Sequence, residues 1–482
     1  MEKSTDQLTV LPIKGNLIKF AIIFAIFFCF YMIMGTMLMD SGVYSNSEIY
    51  YGAKAKLLIN GPEPKINNYD FTDPPIQMLL YTLFQWNFQV ASSLIGAFFN
   101  SFLLLFVLTN FKSKLIKIAF SITILTMPSF LFNSLEVAPY MLFLFFYCLG
   151  FYFLLEFSAR SRVFYLFVFG LIYGILFLIR FEILWTSIYI YIMFYFIYRR
   201  KKKFLYYSTA ALFPMFFLFL CWLFVYWIFR GNPLNFINHV FISHLTKGSK
   251  IFLDDLLSSI IRASIYIIFY ILILFKIGKF RFFFISPAFL VFISPFFMSL
   301  LLNLFGMETN SVSYTIIYLI NFIILLPYIG YLLNTEKRKL FIITLVVLVY
   351  VFDVFMLYNF GNREEKHFLG ALNNKKYHYA VVEYREVAKY MNKYDSLLID
   401  TDKSFRIVFF SERTDNVISD KNPEYYTYIV TPDEFVDAVI INKTGDSITK
   451  YFPFAVEAGI TGFYTVFETE EYLVLENKKT GL

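Results

Sequence analysis

Residues 40–77 read DSGVYSNSEIYYGAKAKLLINGPEPKINNYDFTDPPIQ, the first long polar segment of the chain, set between two strongly apolar ones. The segment holds acidic residues, Asp40, Glu48, Asp70 and Asp73 among them, and the pair Pro74-Pro75. A helix is expected from about Ser47 to Leu58, with Ser47 as its cap and a stop at Gly61-Pro62. On that helix Glu48, Tyr51 and Ala55 follow at three- and four-residue spacing and share one face. This fits an amphipathic helix lying in a membrane interface, with Glu48 on its polar edge. Asp40 falls where the first apolar run ends.

Outward from this segment the chain is apolar. Of 482 residues 59% are hydrophobic and 16% charged, against about 25% charged in soluble domains. Runs of spanning length fall near 17–39, 88–110, 116–134, 138–156, 163–180, 182–198, 206–229, 260–275, 282–305, 314–333 and 340–358. The expected fold is a polytopic α-helical membrane protein of about 11 spans. Its first run is too long, and too poor in small residues at its end, for a cleaved leader, and is read as an anchor.

Charge orients the spans. With the N-terminus inside, the inner segments carry Lys14 and Lys19, then Lys112, Lys114 and Lys117, Arg160 and Arg162, RRKKK at 199–203, Lys276, Lys279 and Arg281, and finally Lys337, Arg338 and Lys339. These loops are short and basic, as the positive-inside rule requires. The outer segments, 40–75, 135–137, 180–182, 230–259, 306–313 and the tail from about 360, are mixed or acidic. Eleven spans place that tail outside.

Residues 361–482 carry a net charge of −5 and the preceding 360 carry +12. The overall +7 therefore reflects membrane loops, not a nucleic-acid surface. In the tail, Val382 to Met391 has helical spacing. Ser396 to Ile399, Arg406 to Phe410, Tyr428 to Val430, Ala438 to Ile441, Thr465 to Glu468 and Tyr472 to Leu475 read as short strands between polar turns. A small extracytoplasmic α/β domain follows from that order. The division expected is a membrane domain, 1–360, with an outer loop at 40–77, and a soluble domain, 361–482.

Some chemistries are excluded and others invited. Cys29, Cys148 and Cys221 lie inside apolar runs and are read as buried small side chains. No nucleotide-binding fingerprint is present, and the inner loops are too short to hold a sugar nucleotide. Glu136 precedes a span in NSLEVAPY, and Arg180 and Glu182 bracket a turn in LIRFEILW. Charges at that depth usually face a bundle interior or a wet cavity, where a guanidinium can hold a phosphate with two donors. Asp353, in the last span, is read as pairing with a neighbouring helix. Arg230, His239, His244, Lys247 and Lys250 make the long outer segment 230–259 a basic surface for lipid phosphates. Asn442-Lys443-Thr444 matches a glycosylation acceptor.

Four stretches together resemble the GT-C class of integral-membrane glycosyltransferases, in the branch of protein O-mannosyltransferases and lipid A aminoarabinose transferases. SEIYYGAKAKLLING at 47–61 is similar to the first-loop motif of that branch, and YDFTDPPIQMLLYTLF at 69–84 to its Pro-Pro exit. SLEVAPYMLFLFFY at 134–147 is similar to its later acidic residue before a span, and GLIYGILFLIRFEILW at 170–185 to its Gly-rich helix ending in a basic turn. Two positions depart: the leading Asp of the first-loop pair falls on Ser47, and Asp73 stands where the branch often has Lys.

The resemblance implies transfer of a sugar from a polyprenyl-phosphate donor to a glycan, lipid or protein acceptor on the outer face, with inversion in a single displacement. Phosphate leaves as a stable anion, so the enzyme mainly needs a carboxylate base and cations on the departing phosphate. Glu48 or Asp40 takes the first role; Arg180, with Arg230 or Arg262, takes the second. Glu136, Tyr51, Asp70, Asp73 and Glu182 are the acceptor-side or auxiliary residues. A divalent metal is left open and no nucleotide cofactor is expected. The location implied is a bacterial or archaeal plasma membrane with the catalytic face outside, or the ER membrane in a eukaryote. Three rivals stand beside this reading: an O-antigen ligase or polymerase, which depends on a large late outer loop, a lipid-linked glycan transporter or flippase, and a structural or sensory protein whose tail binds a partner. A transporter is expected to show repeated halves with broken helices; Pro287 and Pro295 share one span without a matching half. In intact cells or sealed vesicles, a cysteine at 62 is expected to react with an impermeant maleimide from the outer side and one at 201 only after permeabilisation. The reverse pattern sinks the topology.

Overall fold

The computed structural model describes residues 16–479, apart from 70, 85–86, 199–202, 239, 241–248, 277–282, 284–285, 305–311, 334–337, 420 and 423. The chain divides into two compact units: Met1–Gly35 with Ser92–Leu369, and Thr36–Ala91 with Gly370–Leu482.

The first unit is all helix. Among the described residues five helices are long and apolar enough to cross a membrane: Leu17–Asp40, Phe88–Asn110, Ala138–Arg160, Phe204–Arg230 and Lys339–Phe360. The run expected as one span at 116–134 is instead two helices, Lys114–Thr126 and Pro128–Glu136, bent by 47°. Pro128 has no N–H and forces Met127 into an extended conformation, which breaks the ladder there. Val163–Ile179, Ile183–Tyr198, Ala263–Lys276, Pro287–Met298 and Ser313–Ile329 are shorter apolar helices.

Apolar side chains also cover the outside of this unit. Along Phe204–Arg230 only 22% of the apolar window is buried, and Phe213, Leu220, Phe224 and Trp227 point outward. Cys29 and Cys221 are exposed too, contrary to expectation, while Cys148 is buried. A continuous greasy exterior on helices whose backbone groups are satisfied internally belongs in lipid. The protein is an integral membrane protein with several spans.

Inside the bundle, short polar bonds join helices that apolar packing alone would leave free to slide. Asn100 Nδ2 donates to Tyr31 at 2.6 Å and Ser134 at 2.8 Å. Asn133 Nδ2 donates to Ser313 O at 3.0 Å, and Asn321 Nδ2 to Val291 O at 2.8 Å. Asp353 accepts from the Ser129 hydroxyl at 2.6 Å and the Ser129 amide at 3.2 Å, so its pairing with a neighbouring helix is as expected.

The second unit is an α/β fold with a five-stranded sheet. Its strands are β1 (Leu397–Ile399), β2 (Val417–Ile418), β3 (Ala438–Asn442), β4 (Phe463–Glu468) and β5 (Tyr472–Asn477), in the order β2-β1-β3-β5-β4. β1 runs parallel to β2 and β3, and β5 is antiparallel to β3 and β4. Two expected strands are helices: Arg406 to Phe410 lies in Phe405–Phe410, and Tyr428 to Val430 in Tyr425–Val430. A five-residue apolar run carries no periodicity long enough to separate the two. Here adjacent Ile407 and Val408 are both buried, which a half-exposed strand would not allow. Asn442 is buried and its Nδ2 donates to Lys403 O at 3.2 Å, so the glycosylation reading of that triplet fails.

One face of the sheet is closed by helix His378–Lys393 and, from far away in sequence, by helix Asn46–Asn60. Ala53 and Leu57 enter the same core as Val387, Met391, Ile407, Val408, Tyr472 and Val474. The segment around helix Asn46–Asn60 and the tail are thus one folding unit here, whereas the sequence assigns them to separate domains. A Cβ on Gly52 would stand 2.7 Å from the Phe409 ring, so only glycine admits this approach. Gly52→Val is expected to cost about 1–3 kcal/mol by overpacking, read as lowered thermal stability and faster proteolysis in the tail. Unchanged behaviour would mean that the helix does not seat there.

Candidate functional site

The acidic set of the second unit sits on and around helix Asn46–Asn60. The helix starts one residue earlier than expected: Ser45 is its N-cap, without a side-chain cap bond, and Ser47 lies in the first turn. Glu48 is fully buried in that turn, and Asp40 is exposed at the end of helix Leu17–Asp40. Tyr51 is stacked on Tyr81 with ring centroids 6.0 Å apart. It packs with Ala55 and Phe88, so the face shared by Tyr51 and Ala55 turns into a core. Asp73, before the Pro-Pro pair, accepts a bond from the Tyr50 hydroxyl at 3.2 Å. Pro75 opens helix Pro75–Leu83, the position where a missing N–H costs least. Asp70 lies outside the described residues.

The same helix turns two lysines inward, which sequence reading missed. Lys54, buried, forms an ion pair with Asp402, and its ammonium lies 5.2 Å from the Tyr50 ring centroid. Asp402 also takes Lys421 at 3.1 Å. Lys56 donates to the Phe409 carbonyl at 3.1 Å and to that of Ser411. Burial pushes the Lys56 ammonium down to about 8, with Glu412 opposing, so it keeps its proton at neutral pH. At the N-terminus of the helix, Arg406 donates from Nε and Nη2 to Asn46 Oδ1 at 3.1 and 3.0 Å. The one signal in the sequence is AKAK at 53–56, two lysines within the mainly apolar run 49–59; their partners stand about 350 residues away.

The cationic set belongs to the first unit. Arg180 is half-buried and extended between helix Val163–Ile179 and the turn Phe181–Trp185. Its guanidinium lies 5.9 Å from the Phe143 ring centroid. One turn before Phe143, Tyr140 donates to Tyr314 O at 2.7 Å and packs on the Tyr314 ring at 4.2 Å. Glu136, almost fully buried, closes helix Pro128–Glu136 just before helix Ala138–Arg160 begins. Arg230, exposed, ends helix Phe204–Arg230; beyond it Phe236 packs on Phe181 at 5.0 Å. Glu136, Arg180 and Arg230 therefore sit at one end of this bundle. The side chains of Glu182 and Arg262 lie outside the described residues, as do His239 and His244. Among the described residues no three His, Cys, Asp or Glu side chains are grouped to hold a metal.

At that end a further buried carboxylate appears. Glu365 accepts from the amides of Ser313 at 2.6 Å, Val312 at 3.2 Å and Asn362 at 2.8 Å. It caps the start of the Ser313–Thr315 turn and so holds Tyr314 where Tyr140 meets it.

No protein-family model and no curated protein matches the sequence. Among solved structures, ArnT from Cupriavidus metallidurans bound to undecaprenyl phosphate matches with a TM-score of 0.57 at 12% identity. The match covers 96% of this chain and 98% of that one. Over that length the chain shares the fold of the ArnT structure.

Glu365→Ala would leave the Val312 and Ser313 amides without their carboxylate, at a cost of about 1–2 kcal/mol. A lowered melting temperature in detergent, absent in Glu364→Ala, is expected; equal melting temperatures would remove the capping role.

Proposed function

We propose that this protein is a membrane glycosyltransferase that moves a sugar from a polyprenyl-phosphate donor to an acceptor at the outer face, with inversion. The observation that carries the reading is the fold shared, over nearly the whole of both chains, with an ArnT structure bound to undecaprenyl phosphate. The local chemistry supports it. A polyprenyl-phosphate sugar needs a cation within reach of lipid and a carboxylate held still against the acceptor hydroxyl. Arg180 is a half-buried guanidinium at a helix break, beside the Phe143 ring, at a bundle end. In this reading it holds the departing phosphate, with Arg230 and Arg262 as outer cations. Eleven spans with the N-terminus inside complete the proposal.

Of the two candidate bases, Glu48 is preferred. It is shielded from water on a helix clamped at both ends, whereas Asp40 is exposed at a helix terminus. A fixed, dry carboxylate takes a proton in a set geometry, and a hydrated one at a helix end does not. Glu136 serves the acceptor side. Tyr51 and Asp73 act through packing and through the Tyr50 bond, not on the reacting atoms. A transporter reading finds less support, since carriage needs no buried base.

With undecaprenyl-phosphate glucose, galactose, mannose and arabinose as donors, Glu48→Gln is expected to lower kcat about 10²–10⁴-fold. Asp40→Asn should fall by less than tenfold. Arg180→Lys keeps the charge but loses the fork, and should weaken binding of undecaprenyl phosphate and turnover together. Full activity in both carboxylate variants would sink the base assignment. Undiminished phosphate binding in Arg180→Lys and Arg180→Ala would sink the cation.

A further inference from the structure

We propose that the tail's α/β fold is the positioning element of the transferase, and that Arg406 is its principal positioning residue, setting the place of Glu48 through Asn46. The proposal rests on the transferase reading above and concerns how that base is held.

Asn46 is the first residue of the helix that carries Glu48 two positions on. Its side-chain oxygen receives two donors from one guanidinium, at 3.1 and 3.0 Å. That guanidinium is itself held on several sides. It lies 5.3 Å from the Tyr384 ring centroid and 5.1 Å from that of Phe405, and pairs with Glu471 at 3.6 Å. Tyr384 stands on helix His378–Lys393 and Glu471 just before β5, so the fork is anchored in two elements of the tail. A planar guanidinium packed in this way has little freedom left, and its donors locate their acceptor in both distance and angle.

A second attachment lies two turns along the same helix, where Lys54 meets Asp402. Asp402 is fixed in turn: its amide donates to Asp400 at 3.0 Å, and its carboxylate holds Lys421. Between the two attachments Gly52 presses on Phe409. One point would leave the helix free to swing about it. Two charged points astride a close backbone contact fix both its azimuth and its register, and so fix the direction of Glu48. Burial of Ala53 and Leu57 already supplies stability; the directional bonds at Asn46 add orientation, which apolar contact does not specify.

The test uses the full chain in lipid nanodiscs, with hydrogen exchange over 46–60 and turnover of the four donors above. Asn46→Ala and Arg406→Ala are expected to speed exchange at 46–60 about tenfold, with β1, β3 and β5 unchanged. Their kcat should fall about tenfold or more, with donor KM within about twofold. Asn46→Asp keeps the acceptor oxygen and should restore kcat. Arg413→Ala, which removes a surface ion-pair group of the same fold, should change neither. Faster exchange with unchanged kcat, or no rescue by Asn46→Asp, overturns the positioning role and leaves the transferase reading intact. Unchanged exchange in both alanine variants overturns the clamp itself. A wild-type chain that transfers none of the four sugars overturns the transferase reading and the positioning role with it.

Discussion

Ala53 and Leu57, on helix Asn46–Asn60, are buried against Val387, Met391, Ile407 and Val408, more than three hundred residues later. The second unit depends on this one contact. Its sheet has an apolar layer on each side, and the layer facing helix His378–Lys393 is completed by the loop helix. Each fully buried aliphatic side chain contributes about 1.5–3 kcal/mol, so removing this helix would leave a hole that solvent must fill. The loop is in turn ordered by the tail. Neither segment has a finished core alone, which is the physical reason that they form one unit.

The same burial explains why charged residues in this unit are paired. Lys54 and Lys56 lie on faces that turn inward, and a buried ammonium without partners would be costly. Asp402 and the carbonyls of Phe409 and Ser411 answer them. Such pairs add little net stability, but they are directional, and the helix they orient carries Glu48. The membrane unit solves a related problem by other means. Buried carboxylates there serve helix starts: Asp353 that of Pro128–Glu136 and Glu365 that at Ser313. In the same unit Arg180 stands at a break between helices, beside the Phe143 ring.

Chemically, a glycosyl phosphate asks little of its enzyme beyond a base, a cation and alignment. In the proposed reading the base is Glu48, a sheltered carboxylate, and the cation is Arg180, a half-buried guanidinium. Aligning a base to the fraction of an ångström that proton transfer requires is more than a surface loop can do by itself. A folded domain whose core is finished by that loop is a direct physical solution.

How much of this was legible in the residues varies with the kind of force involved. Span-length apolar runs, the helix from about Ser47 to Leu58 and the strands at 397–399, 438–442 and 472–477 follow from local pattern, because hydrophobic period and turn residues act over a few positions. Arg406 to Phe410 could not be told from a strand, because its helical state is decided by what packs on it. The break at Met127-Pro128 was written in the proline, yet the apolar run around it read as one span. The prominence of Asp40, Glu48 and Arg180 came from their chemistry and their positions beside apolar runs. Only the tertiary structure could show that Glu48 is dry and Asp40 wet, that Lys54 faces inward, and that Asn46 meets Arg406. Those outcomes depend on which distant segments share a core, and chain order carries no local trace of that.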